Sequence, residues 1–284
     1  MKKILVTGAT GQMGSELKVL SNNYSQFEWI FADRTQVSLD NLSVLQSQLE
    51  AIGPDFILNC GAYTAVDKAE TELELANTVN HLAVAIIAQY TKDHTVKFIH
   101  ISTDYVFDGT SSIALTEEAM TQPVNVYGAT KRAGELACLK VYPDAIIIRT
   151  SWVYSRFGNN FVKTMQRLLQ ERDTLSVVND QIGSPTYAAD LAQVMMDIVT
   201  AKYWIPGIYN YSNEGEISWF EFVLAIQEIG GYTCEVNGIP SSAYPTAAKR
   251  PAFSLLDKTK IKQVYGIVVP DYKDSLAVCL KSKV

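Results

Sequence analysis

The chain is poor in the features that mark many specialised classes of protein. It has only four cysteines and three histidines in 284 residues. Cys60, Cys138, Cys234 and Cys279 stand far apart with no C-x-x-C pair, which argues against a zinc framework and fits a reducing compartment. Cys60, inside an apolar run, reads as a small core residue. His81, His94 and His100 show no metal-ligand spacing, so no metal site is expected, and His100 on its alternating stretch reads as a packed histidine. Positive charge is not in excess. The formal net charge is −6, so nucleic acid is not an expected partner. Long hydrophobic runs are missing too. After Lys2 and Lys3 the apolar run covers only residues 4–6, too short for a signal peptide, and nothing approaches membrane length. The expectation is a cytoplasmic protein without membrane association. Repeats, low-complexity segments and long charge runs are likewise absent. What is present is a hydrophobic fraction of 48%, enough for one large α/β core or two unequal ones.

The informative stretch lies at the start. Residues 4–17 form an apolar run, then a turn with Gly8, Gly11 and Gly14 at every third position, then an amphipathic run with Met13 and Leu17 one helical turn apart. This reads as a buried strand, a tight turn and a helix start. Gly8 permits the sharp turn, Gly11 lets a pyrophosphate approach the backbone, and Gly14 lets the helix lie close on the sheet. The free N–H groups at the helix start would face the phosphates. A second strand should end near Ala32. Asp33, which follows, could bond the ribose hydroxyls of NAD, whereas Arg34 could accept the 2′-phosphate of NADP. The two residues pull in opposite directions; the balance is placed on NADPH, with NADH a second fit.

Apolar runs at 27–32, 55–60, 96–102, 145–150 and 175–178 alternate with amphipathic stretches near 41–51, 72–91, 124–140, 158–171 and 187–200. That alternation predicts a Rossmann-type, doubly wound α/β fold with a parallel sheet covered on both faces. After about residue 203 the elements shorten, punctuated by Pro206-Gly207, Gly230-Gly231 and Pro240, and Ser218 with Glu221 has the form of a capping box. The expected organisation is a dinucleotide-binding domain over 1–150, rejoined by about 174–203, and a smaller mixed substrate-binding lobe over 151–284. A cleft between them would lie beyond the carboxyl ends of the strands.

A second stretch carries chemistry. Tyr127 and Lys131 are four apart and share a helix face. An ammonium near a phenol favours phenolate and lowers its pKa, so the pair could move a proton to or from a substrate oxygen. Ser102 and Thr103 end an apolar strand, where a hydroxyl could bond the same oxygen. Trp152 and Trp219 are candidates for stacking on a base or sugar. Arg250 is a candidate for a diphosphate, and Arg149 a candidate partner for an acid.

In this order and spacing the glycine turn, Thr103, Tyr127 and Lys131 resemble the extended short-chain dehydrogenase/reductase family. Residues 62–70, 102–109, 125–128, 149–154, 179–181 and 242–246 are similar to the dTDP-4-dehydrorhamnose reductase branch of it. The resemblance implies NAD(P)H-dependent reduction of the 4-keto group of dTDP-4-dehydro-L-rhamnose, with Thr103, Tyr127 and Lys131 catalytic and Tyr127 the proton donor. It implies that Gly8, Gly11, Gln12, Met13 and Gly14 hold the pyrophosphate, that Asp33 and Arg34 meet the ribose, and that Tyr63, Thr64 and Ala65 line the cofactor with Tyr127 and Lys131. Thr103, Asp104 and Trp152 would touch the dTDP-sugar, and Asn80 would face the cofactor site. Asp104 is followed by Tyr105 where related dehydratases carry a second acid, which argues against dehydration. Two alternatives stay open: a nucleotide-sugar 4-epimerase, and a non-catalytic dinucleotide-binding regulatory subunit. Some family members dimerise through magnesium. Glu16 matches the first acid, but Ala189 precedes Asp190 where a carboxylate is expected, leaving too few hard ligands. No such metal is expected, and the state is monomer or homodimer.

Overall fold

The computed structural model describes residues 1–282. Ile4, Leu5 and Val6 are fully buried, so the first strand, β1 (Lys2–Thr7), needs cover on both faces and becomes a central strand. With β2 (Phe27–Ala32), β3 (Phe56–Asn59), β4 (Lys97–Thr103), β5 (Ile146–Thr150) and the Gly207–Asn210 strand it forms a six-stranded sheet. Every neighbouring pair is parallel, in the order β2, β1, β3, β4, β5, Gly207–Asn210. The order turns back between β1 and β3, and the carboxyl ends there open the crevice in which ligands of such sheets sit.

Alternate residues of the strands feed two cores. Ile4, Val6 and Leu58 pack with Met13 and Leu17 and with the Ala188–Thr200 helix on one face. Leu5 and Ile57 pack with the Leu42–Ile52 and Ala83–Asp93 helices on the other. The return of the chain to the sheet is made by the Ala188–Thr200 helix and the Gly207–Asn210 strand. The 175–178 run does form a strand, Thr174–Val178, but it lies outside the six-stranded sheet, paired with Glu235–Ile239. Its pattern explains this: Leu175 and Val177 are buried while Thr174 and Ser176 are exposed, so it has one apolar face and cannot sit between two helical layers.

A third core, around Phe222, Ile226, Tyr154 and Leu276, belongs to the C-terminal region. Its Trp219–Gly230 helix opens on the expected capping box, Ser218 Oγ accepting from Glu221 N at 3.2 Å and Ser218 N donating to Glu221 Oε2 at 2.7 Å. The 72–91 stretch differs from a single amphipathic helix. Helices Leu73–Asn77 and Ala83–Asp93 flank a widened, π-helical turn at Thr78–Leu82. Among the described residues no helix is long and apolar enough to cross a membrane.

Candidate active site

The glycine turn performs its separate tasks in separate ways. Gly8 has φ of 65°, and a Cβ there would stand 2.7 Å from Gly61 Cα, so the first and third strands leave the sheet in contact. Gly11 caps the α1 helix (Gln12–Leu20) without a side chain, so the first-turn N–H groups face outward. A Cβ on Gly14 would lie 2.5 Å from Ala9 Cα, which is why helix and turn close together only with glycine. Above this turn lies a cleft of about 570 Å³.

The Val126–Val141 helix supplies the far wall. Asn125 Oδ1 accepts from Gly128 N at 2.8 Å and caps it, and Asn125 Nδ2 donates to Lys249 O at 2.8 Å, tying the helix start to the C-terminal region. A Cβ on Gly128 would sit 2.1 Å from Tyr105 O, so the helix is pressed onto the loop after β4. The Tyr105 and Tyr127 rings meet edge to face with centroids 5.5 Å apart. Behind the wall Arg149 binds Glu135 through Nε at 2.9 Å and Nη2 at 2.8 Å, fully buried, and so finds the acid partner expected of it. Ser102 and Thr103 both line the cleft, but Ser102 Oγ spends its proton on the same carboxylate at 2.6 Å. Asn80, in the widened turn, accepts from Tyr63 N at 2.9 Å and donates to Tyr63 O at 3.1 Å and Thr130 Oγ1 at 3.2 Å. It fastens the loop after β3 to the same helix.

Of the sequence-predicted residues, Gly8, Gly11, Gln12, Met13, Arg34, Thr64, Thr103, Asp104, Tyr127, Lys131 and Trp152 line this one cleft. Gly14, Asp33, Tyr63, Ala65 and Arg250 are not among its lining residues. Asp33 Oδ1 is engaged in its own turn, accepting from Thr35 N at 2.8 Å and Thr35 Oγ1 at 2.6 Å. Arg34 lines the cleft with its exposed guanidinium 3.7 Å from Asp40. The Tyr63 hydroxyl donates to Glu72 at 2.6 Å, and Ala65 starts the short Val66–Ala69 helix. Arg250 is clasped bidentately by Asp67, at 3.0 and 2.7 Å. The cleft is also lined by Asp40, Gly61, Gly158 and Asn159, which the sequence reading did not single out. The Gly158-Asn159 turn signal was present in the sequence, and Gly158 takes the positive φ of 65° such a turn uses.

The electrostatics differ from a phenol softened by its lysine. Burial pushes Tyr127 up to about 12, while the Thr103 hydroxyl beside it pulls the other way. Burial also brings Lys131 down to about 8, against the Glu135 carboxylate. The reason is that Nζ does not point at the phenol: it donates to Ile101 O at 2.6 Å. Tyr127 is therefore held as a protonated phenol at neutral pH, the form that donates. Asp104, fully buried, is pushed up to about 6 by burial, against hydrogen bonds from Ser254 and Thr103. Trp152, at a positive φ of 48°, stacks on Trp219 with centroids 3.6 Å apart and forms a flat side of the cleft. Glu16 accepts from Ser155 Oγ at 2.6 Å, and Asp190 accepts from Asn213 Nδ2 at 2.7 Å and Ser275 Oγ at 2.5 Å.

A doubly wound sheet with a glycine turn, a strand-end threonine and a tyrosine/lysine pair on one cleft defines a dinucleotide-dependent oxidoreductase of the short-chain type. The family described as "RmlD substrate binding domain" matches residues 1–284. The dTDP-4-dehydrorhamnose reductase of Aggregatibacter actinomycetemcomitans is 41% identical, over 97% of this chain and 97% of that protein. The structure of dTDP-4-dehydrorhamnose reductase from Bacillus anthracis in complex with NADP is similar with a TM-score of 0.94 at 36% identity, covering 99% of each chain. A dTDP-4-dehydrorhamnose reductase structure from Clostridium acetobutylicum has the same TM-score of 0.94 at 34% identity, over 98% of each. The chain belongs to the RmlD family of dTDP-4-dehydrorhamnose reductases.

Proposed function

We propose that this protein reduces the 4-keto group of dTDP-4-dehydro-L-rhamnose to give dTDP-L-rhamnose, with NADPH as reductant and NADH as a second fit. The observation that carries the reading is the placing of Thr103, Tyr127 and Lys131 on one wall of the cleft whose floor is the glycine turn. The residues present suit the dinucleotide. Gly11 leaves room for phosphate beside the uncapped N–H groups of α1, and Arg34, rather than the self-bonded Asp33, lines the cleft where a 2′-phosphate would be met. Bound NADPH supplies the hydride for the carbonyl carbon. Gly8, Gly11, Gln12 and Met13 hold the diphosphate, and Thr64 and Lys131 lie along the same groove.

The chain's own part is to handle charge on the carbonyl oxygen. Tyr127, a phenol at neutral pH, gives its proton to that oxygen as negative charge grows there. The Thr103 hydroxyl, which donates to Asp104 Oδ1 at 3.0 Å, turns its proton to the oxygen as a second hydrogen bond, and the Lys131 ammonium stabilises the phenolate that remains. Asp104, next to Thr103, and Trp152 face the sugar nucleotide in the same cleft, and Arg250 is held by Asp67. The protein acts as a monomer or homodimer, on a dTDP-sugar and not on nucleic acid.

The test is oxidation of NADPH, and separately of NADH, by the purified protein with dTDP-4-dehydro-L-rhamnose. Stoichiometric consumption of added cofactor supports the reductase. Tightly retained NAD with interconversion of 4-epimers sinks it in favour of the epimerase. Tight dinucleotide binding without turnover sinks it in favour of a regulatory subunit.

A further inference from the structure

Beneath the cleft floor runs a chain of polar side chains that the proposed reaction does not use directly. It crosses the carboxyl ends of β1 and β3 and the middle of β4 and ends at Lys131. Thr7, Asn59, His100 and Lys131 are each 2% exposed or less. Buried polar groups in such a file must satisfy one another, which makes the direction of every hydrogen bond a matter of accounting.

Thr7 stands at the head of the file. Its Oγ1 accepts from Gly61 N at 3.3 Å, so its proton goes to Asn59 Oδ1, 2.6 Å away. That fixes the amide: Asn59 Nδ2 points at His100 Nδ1, 2.9 Å away, and donates to it. Nδ1 is then an acceptor, and the proton of a neutral imidazole sits on Nε2. Burial and the neighbouring Lys131 hold His100 well below its ordinary pKa, so the ring is neutral across the physiological range. Its Nε2–H faces Lys131 Nζ at 3.4 Å, the distance of a contact rather than of a strong hydrogen bond. The ammonium meets a donor there. The free amine meets a proton it can accept while still donating to Ile101 O.

We propose that His100, locked in its Nε2–H form by Thr7 and Asn59, is a positioning residue for Lys131: it aims Nζ at Ile101 O and makes the ammonium readier to give up its proton. The inference rests on the reading that Lys131 serves the reacting tyrosine. The other titratable groups facing Nζ are Cys60 from beyond β3 and Glu135 from its own helix, which oppose this effect, and Tyr127 on the same cleft wall.

The experiment has two arms. In the first, the protein carrying 15N-histidine and 13C-lysine is titrated by NMR without cofactor or sugar. The expected result is an Nε2–H tautomer for His100 at all pH values, with a Lys131 midpoint near 8 in the wild type. In His100→Gln, whose side-chain carbonyl can accept from the ammonium, and in His100→Phe, that midpoint rises by about one pH unit. In the second arm, the alkaline limb of kcat follows the same shift, whereas a merely structural role would lower thermal stability and leave the limb in place. An Nδ1–H tautomer in the wild type overturns the proposal, even if neither variant folds. So does an unmoved Lys131 midpoint in both variants. Loss of all turnover in the wild type, with the tautomer and midpoint as expected, would defeat the catalytic reading of Lys131 and leave the His100 assignment standing.

Discussion

Tyr127 shows how far a residue's chemistry is set by where its neighbours point. Four-residue spacing put phenol and ammonium on one helix face, and that much was legible. Their mutual effect was not, because Nζ is drawn to Ile101 O and the phenol is buried against Thr103. A phenol raised to about 12 is a standing proton donor. Tyr127→Phe should therefore keep dinucleotide binding, measured by fluorescence or calorimetry, and lose roughly 10²–10⁴ in kcat. Near wild-type turnover would remove the proton-donor role. Asp104 gives the second prediction at this scale. Its folded pKa, about 6, lies above the ordinary carboxyl value of about 3.9. A group raised in this way contributes stability that is complete below the unfolded value and lost as pH rises through the folded one. Against Asp104→Asn, which does not titrate, the wild type should lose relative stability between about pH 4 and 6 and then level off. Urea midpoints of the two proteins across that range read this difference. A gap that does not change with pH would mean the carboxyl is not displaced. Asp33 and Arg34 mark the other limit of legibility at this scale. Their order in sequence was plain, yet only the structure shows Asp33 spending its oxygen on Thr35 while Arg34 reaches the cleft.

At the scale of elements, what was legible follows from burial on two faces. The strands from β1 to β5 fall where apolar runs stand between amphipathic helices, because such a run is stable only inside a parallel sheet. The Thr174–Val178 run was legible as a strand but not as to its partner, since alternation states that one face is buried and says nothing of what buries it. The widened turn at Thr78–Leu82 left no mark in the hydrophobic period at all. Within it Asn80 reaches both the Tyr63 backbone and Thr130. Close approach of elements was readable only through glycine. Gly128 is one such case: a methyl group there would enter the Tyr105 carbonyl at 2.1 Å, and backbone cannot give way as a side chain can. Gly128→Ala is expected to destabilise the fold by about 1–3 kcal/mol and to move Tyr127 with the helix start. The measurement is thermal unfolding beside kcat, and the expectation is a larger loss in kcat than the drop in folded fraction explains. A variant with wild-type kcat would mean that the helix start is not what sets the phenol.

Across the whole molecule, residues 248–250 of the C-terminal region join the rim of the cleft through polar contacts. Arg250 grips Asp67 bidentately, Ala248 N donates to Asp67 Oδ1 at 3.0 Å, and Lys249 O receives Asn125 Nδ2 at 2.8 Å. These contacts bring residues from near the chain's end to the loop after β3 and to the start of the Tyr127 helix. Asp67 is 47% exposed in its side chain, so as a contribution to stability the pair ranks with surface ion pairs, at about 0–1 kcal/mol. Its weight lies in geometry: it fixes where the guanidinium stands relative to the cleft. Hence Asp67→Asn, which keeps size and one acceptor but removes the charge, should leave the unfolding midpoint within about 1 kcal/mol of wild type. It should raise KM for the sugar nucleotide several-fold, leave KM for NADPH unchanged and leave kcat nearly unchanged, because the reacting wall is built from other residues. The wild-type KM should also rise with ionic strength more steeply than that of the variant, since salt screens a pair the variant no longer has. Equal sugar KM in the two proteins at low salt would show that the clasp positions nothing the substrate meets.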